Sequence, residues 1–117
     1  MSDTAGDCLF CAVVAGEVPA TVVYRDDELV AFTDLYPQAP VHLLVVPVAH
    51  HTSAAELARA DPALAGRALA LAGRLAADHH LDDGYRVVAN TGRDGGQTVL
   101  HTHFHLLGGR AMGWPPG

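Results

Sequence analysis

Near the C-terminal end of the chain, histidine occupies every second position of His101-Thr102-His103-Phe104-His105, which continues into Leu106-Leu107. An extended strand sends successive side chains to opposite faces. Read as a strand, the segment turns three imidazoles to one face and Thr102, Phe104 and Leu106 to the other. One face must then be core, and the other must hold imidazoles that are costly to bury without partners. A lone strand histidine is usually a satisfied surface or core residue. Three in alternation with apolar residues call for another explanation, and neutral imidazole near pH 7 serves as nucleophile, proton carrier or metal ligand.

The surrounding sequence suits one domain spanning residues 1–117, because 117 residues, 50% apolar and 17% charged, can bury one real core without disulfides. Intrinsic disorder is excluded as the main state. All seven basic residues are arginine, and thirteen acidic residues bring the formal net charge to −6. Sequence-independent polyanion binding needs many cations, so no nucleic-acid partner is expected, whereas a single nucleotide is unaffected by this balance. The start, MSDTAGDCLFC, lacks a basic cluster followed by a long apolar run, and Val41 to Ala49 is interrupted by His42 and Pro47. Neither reads as a signal peptide or a membrane span, so the expectation is a soluble cytoplasmic protein with no membrane partner.

Thr21 to Tyr24 and Leu29 to Thr33 read as paired strands around the polar turn Arg25-Asp26-Asp27-Glu28. After the Pro37 to Pro40 loop, the nearly all-apolar Val41 to Val46 suits a central strand covered on both faces. Ser53 to Arg59 reads as a short helix. Asp61-Pro62 then supplies an N-cap and a first-turn proline for a long helix to His79, striped by Leu64, Ala68, Leu71 and Leu75. Gly66 and Gly73 in that helix suggest close packing on a sheet. Tyr85 to Ala89 and Val99 to Leu107 are the last strands, joined by the turn-rich Asn90-Thr91-Gly92-Arg93-Asp94-Gly95-Gly96. The order implies an α+β fold with helix on one face of the sheet.

Two further features carry chemistry. His42 interrupts the apolar central strand, and Gly95-Gly96-Gln97-Thr98 delivers backbone N–H groups and a hydroxyl, good phosphate partners, to the mouth of the histidine strand. Cys8-x-x-Cys11 is open to three readings: metal ligands, a redox pair or two core thiols. A structural disulfide does not suit a reducing compartment.

With Val41-His42-Leu43-Leu44-Val45-Val46-Pro47, Asp94-Gly95-Gly96-Gln97, Gly84-Tyr85-Arg86-Val87-Val88-Ala89-Asn90 and the terminal Trp114-Pro115-Pro116-Gly117, the triad resembles the histidine-triad superfamily, and within it the histidine triad nucleotide-binding protein branch. The resemblance runs from about Asp7 to Gly117. It implies an antiparallel sheet of about five strands, one long and one short helix, and a homodimer with a continuous sheet. The implied activity is hydrolysis of purine nucleoside phosphoramidates through a nucleotidyl-histidine, with AMP or GMP as product. On this resemblance His103 is the nucleophile, His105 and His42 contact phosphate and manage protons, and the His101 carbonyl orients His103. Asp34 and Leu35 hold ribose and flank the base, Asn90, Gly96 and Gln97 lie on the phosphate side, and Thr98 stands where serine is common. Thr102 departs from the usual apolar residue. Residues 1–6 are expected to be flexible, and the 111–117 tail with Trp114 is expected to dock near an active site. Some bacterial members join a Cys pair to two histidines, which here implies Cys8, Cys11, His50 and His101 as a structural zinc site with no open position. His51, His79 and His80 are expected on the surface.

Rival readings are a metal hydrolase with zinc on His101, His103 and His105, a dinucleoside polyphosphate hydrolase, and a non-catalytic nucleotide-sensing or partner-binding module. Three adjacent inward histidines crowd one ion, which ranks the metal hydrolase low.

Overall fold

The computed structural model describes residues 8–117, so the segment 1–6, expected to be flexible, lies outside the described residues. Five strands form one antiparallel sheet in the order β1-β2-β3-β5-β4. They are β1 (Val22–Arg25), β2 (Leu29–Thr33), β3 (Val41–Pro47), β4 (Tyr85–Val88) and β5 (Phe104–Gly108). Asp26 closes the first hairpin, its Oδ1 accepting from the backbone N–H groups of Glu28 and Leu29, both at 2.7 Å.

Side-chain alternation sorts the sheet into two faces. Leu29, Ala31, Leu43, Val45, Phe104 and Leu106 pack with the helices α2 (Ala54–Ala60) and α3 (Pro62–Asp78). Val30, Phe32, Leu44 and Val46 pack on the other face against a short helix α1 (Leu9–Val14). Both faces of β3 are therefore covered, as its apolar run requires.

The long helix follows its sequence signals closely. Asp61 Oδ1 accepts from Leu64 N–H at 3.0 Å, Pro62 opens the first turn, and Leu64, Ala68, Leu71 and Leu75 are buried together with Ala72 and Ala76. Close approach to the sheet comes through those alanines. The expected role of Gly66 and Gly73 is corrected: a side chain at Gly66 would meet open space, and one at Gly73 would meet only the Tyr85 hydroxyl. Ser53 caps α2, while Glu56 reaches back to the N–H (3.0 Å) and hydroxyl (2.8 Å) of Thr52.

Two departures from the sequence reading matter for the site. The strand expected over Val99 to Leu107 pairs only from Phe104 onward. Opposite the unpaired part, β3 ends at Pro47, which has no N–H, and the Pro47 carbonyl accepts from His101 Nε2 at 2.8 Å. Thr102 N–H turns instead to the His51 carbonyl at 2.7 Å. The second departure is α1, which has no counterpart in the sequence reading.

Candidate active site

The histidine face of β5 is the face that α3 leaves free. Leu44 pairs with His105 and His42 with Leu107 across the β3–β5 ladder, so His42 and His105 are diagonal neighbours on that face. His42 Nε2 and His105 Nδ1 lie 2.8 Å apart. His103 stacks edge-on to His105 with ring centroids 5.0 Å apart.

Hydrogen bonding fixes where the protons sit. The Gln38 N–H donates to His42 Nδ1 at 3.0 Å, so that nitrogen is an acceptor and the proton of neutral His42 is on Nε2. His42 Nε2–H then donates to His105 Nδ1, which leaves the His105 proton on Nε2. His103 is set the opposite way. Its Nδ1–H donates to the His101 carbonyl at 2.7 Å, so Nε2 carries the lone pair. A nucleophilic nitrogen and an N–H donor therefore stand on neighbouring rings. Asp34 Oδ2 lies 3.4 Å from His42 Nε2, and its Oδ1 accepts from Tyr36 N–H at 2.8 Å.

Burial keeps these rings neutral. It lowers the pKa of His42 against the opposing pull of Asp34, and it lowers that of His103 against the His101 carbonyl and Asp34. For His105, burial, reinforced by His103 and His42, brings the pKa down to about 4.

Of these histidines, His103 and His105 line a cleft of about 430 Å³. Its apolar wall is built by Leu9, Phe10 and Val13 of α1 with Val18, Phe32 and Leu44, and its mouth by Asp34, Leu35 and Tyr36. Asn90, Gly96 and Thr98 line the cleft as well. The loop that carries them is tight: Asn90 Nδ2 donates to the Gly95 carbonyl at 2.6 Å, Gly96 has φ +80°, and a Cβ on Gly95 would collide with the Thr91 carbonyl. The cleft thus gathers His103, His105, Asp34, Leu35, Asn90, Gly96 and Thr98, with His42 behind His105.

Gln97 and Trp114 are placed elsewhere. The Gln97 carboxamide braces the loop, donating to the carbonyls of Thr52 (2.5 Å) and Val99 (3.0 Å) and accepting from Gly92 N–H (3.0 Å). Trp114 is 84% exposed and does not line the cleft of its own chain. The tail is held instead by Arg86, which donates to the Gly113 carbonyl. Of the remaining histidines, His80 is exposed, whereas His51 and His79 are half-buried. Sequence reasoning missed the α1 wall. The i, i+3 spacing of Phe10 and Val13 beside the Cys pair is the signal that could have found it.

Beside the cleft, Cys8, Cys11, His50 and His101 converge, with all four ligand atoms within 4.8 Å of one another. The sulfur–nitrogen separations are 3.3 Å (Cys8–His101), 3.3 Å (Cys11–His50) and 3.4 Å (Cys11–His101), and the two Nδ1 atoms are 3.2 Å apart. Donors on a zinc tetrahedron with ordinary Zn–S and Zn–N bonds stand roughly 3.3 to 3.8 Å apart, and these separations lie within about 0.1 Å of the short end of that range, so the set fits after a slight outward movement. His101 Nε2–H is spent on the Pro47 carbonyl, which leaves the Nδ1 lone pair facing the thiols. Burial, with Cys8 adding to it, pushes the Cys11 thiol up to about 11, and burial brings His101 down to about 4. A divalent cation among them would reverse the thiol preference. His101 therefore belongs to this cluster through its side chain and to the histidine face through its carbonyl. The crowded three-histidine metal site is not formed.

Thr102, the departure from the apolar pattern, is buried and shares its hydroxyl proton between the carbonyls of Ser53 (2.8 Å) and His51 (3.1 Å). It ties the start of α2 to the histidine segment.

Known proteins resemble this chain over nearly its full length. A HIT-like protein of Synechococcus elongatus is 48% identical over 111 residues, covering 95% of this chain and 97% of that one. The 14 kDa zinc-binding protein of Brassica juncea is 42% identical over 113 residues, covering 95% and 100%. A solved HIT family hydrolase from Legionella pneumophila superposes with a TM-score of 0.91 at 47% identity, covering 95% and 100% of the two chains. The HIT domain family model matches residues 15–112, and the chain accordingly belongs to the HIT domain family.

Proposed function

We propose that this protein hydrolyses purine nucleoside phosphoramidates through a covalent nucleotidyl intermediate on His103. The observation that carries the reading is the proton arrangement: a lone pair on His103 Nε2 beside an N–H donor on His105, in a cleft with apolar walls. About 430 Å³ suits a small ligand, and a flat purine fits the Phe10, Val13 and Phe32 wall while phosphate meets Asn90, Gly96 and Thr98.

In the first step His103 Nε2 attacks the α-phosphorus and the P–N bond breaks. The departing amine is protonated from water, because His105 is neutral and its Nε2–H, like the Thr98 hydroxyl, serves as a hydrogen-bond donor to the phosphoryl group. The nucleotidylated ring is cationic, and the His101 carbonyl holds its Nδ1–H while Asp34 offsets its charge. Water then cleaves the new P–N bond, which frees the 5′-monophosphate and restores neutral His103.

The HIT family hydrolase of Legionella pneumophila supports hydrolysis, and the Brassica juncea zinc-binding protein supports zinc at Cys8, Cys11, His50 and His101. Zinc there would clamp the segment around α1 to the sheet. Free Cys8 and Cys11 thiols suit a reducing cytoplasm. The edge strand β4 with Tyr85 44% exposed, Leu69 on α3 52% exposed and the bare Trp114 support a two-fold homodimer in which the tail covers the partner's cleft and selects among leaving groups.

A panel of adenosine and guanosine phosphoramidates, with dinucleoside polyphosphates alongside, tests the reading. The phosphoramidates should turn over fastest, and His103→Ala should abolish turnover while still binding AMP. Near wild-type turnover by His103→Ala would defeat the covalent mechanism. Metal analysis of untagged protein should find about one zinc per chain. A chelator should not stop the chemistry at once, as it would in a metal hydrolase.

A further inference from the structure

We propose that the Cys8, Cys11, His50 and His101 centre is energetically coupled to the cleft through Phe10 and His101, so that occupancy of either site strengthens binding at the other, and that Phe10 is a positioning residue for His103. The inference rests on the zinc and nucleotide readings above and adds the relation between them.

Three observations carry it. First, the ligand residues bracket the wall. Cys8 caps α1 and Cys11 lies in its first turn, while Leu9 and Phe10 between them, with Val13 one turn on, face the cleft. A helix of six residues is far below the length that is stable by itself. Its order must come from what holds its ends and its face. Metal bonds to the cysteines and base contacts to Leu9, Phe10 and Val13 both favour the same ordered segment, so each ligand reduces the ordering cost left to the other.

Second, Phe10 touches both sites. Its ring meets His103 edge-on at 5.0 Å and 84°, His101 at 6.1 Å and 76°, and Phe32 of the cleft wall at 5.6 Å and 71°. Third, one residue serves both centres: His101 turns Nδ1 to the thiols while its carbonyl holds His103 Nδ1–H at 2.7 Å. A shift of His101 that accompanies metal loss moves the acceptor that sets the His103 tautomer.

Coupling between sites is reciprocal, and ordinary couplings change affinity roughly 5- to 150-fold. The test uses the full-length zinc-loaded protein, challenged with excess chromogenic chelator with and without saturating AMP. AMP should slow zinc release by about fivefold or more. In the cobalt(II)-substituted protein AMP should shift the visible absorption bands, a readout that general stabilisation of the fold does not move. Phe10→Ala keeps all four ligands, so it should still bind one metal per chain, yet AMP at a concentration that saturates the variant should give it little protection. AMP binding by calorimetry with unchanged release rate and unchanged cobalt spectrum would overturn the coupling. Full protection in Phe10→Ala would overturn the role of Phe10. Absence of AMP binding overturns the nucleotide reading, absence of metal overturns the zinc reading, and either result removes this inference with it.

Discussion

The proton chain Gln38–His42–His105 makes a quantitative prediction about acid. Burial beside His103 and His42 brings the His105 pKa from 6.5 to about 4. At pH 5.5 an ordinary histidine with a pKa near 6.5 is roughly nine-tenths protonated, whereas one with a pKa near 4 is about one-thirtieth protonated. Ring resonances of His105 in the ligand-free protein, followed by NMR from pH 7.5 to 4.5, should therefore stay those of a neutral Nε2–H tautomer through pH 5.5. The sign of the stability effect follows. Between pH 4 and 6.5 the unfolded chain binds the proton and the folded chain does not, so stability rises with pH across that window. The contribution of His105 is complete above about 6.5 and is lost as pH falls through about 4, on the order of 3 kcal/mol in total. A His105 midpoint at or above 6.5, or the Nδ1–H tautomer at pH 7, would refute the reasoning from burial and from the Gln38 hydrogen bond.

Other expectations are narrower. Thr102→Val preserves shape but removes the hydroxyl donor to the Ser53 carbonyl, which keeps the Leu57 N–H at 3.0 Å, so urea unfolding should show a loss of about 0.5 to 1.5 kcal/mol. Gly95→Ala forces the Thr91 carbonyl to move, displacing Gly96 and Asn90; AMP affinity by calorimetry should fall roughly tenfold or more, with secondary structure by circular dichroism unchanged. Light scattering should find a dimer, and deleting Gly113 to Gly117 should alter the relative rates of phosphoramidates with different amines far more than it alters that mass.

How much of this was legible in the sequence depends on what each residue answers to. The α3 boundaries were readable because Asp61, Pro62 and the Leu64, Ala68, Leu71, Leu75 stripe act locally. The two-faced character of the histidine segment was readable from alternation alone, since Phe104 and Leu106 enter one core while His103 and His105 line the cleft. Its end as a paired strand was not, because that depends on Pro47 and His51, some fifty residues away in the chain. Helix α1 escaped for a related reason: over six residues its periodicity reduces to the single Phe10–Val13 spacing, and the cluster beside it gathers residues 8, 11, 50 and 101. Gln97 shows what a motif leaves open: its place beside Gly96 suggests ligand contact, and the structure adds that its amide satisfies the backbone of its own loop and of Thr52.

The central claim is that His103 Nε2 bonds to phosphorus. Rapid acid-free quenching of the protein with an adenosine phosphoramidate, followed by intact-mass and peptide-fragmentation mass spectrometry, addresses it directly. A chain heavier by one adenylyl group, with the group on His103 and absent in His103→Ala, is the predicted result. Hydrolysis at full rate with no adduct at any time point, or an adduct on another residue, would contradict it.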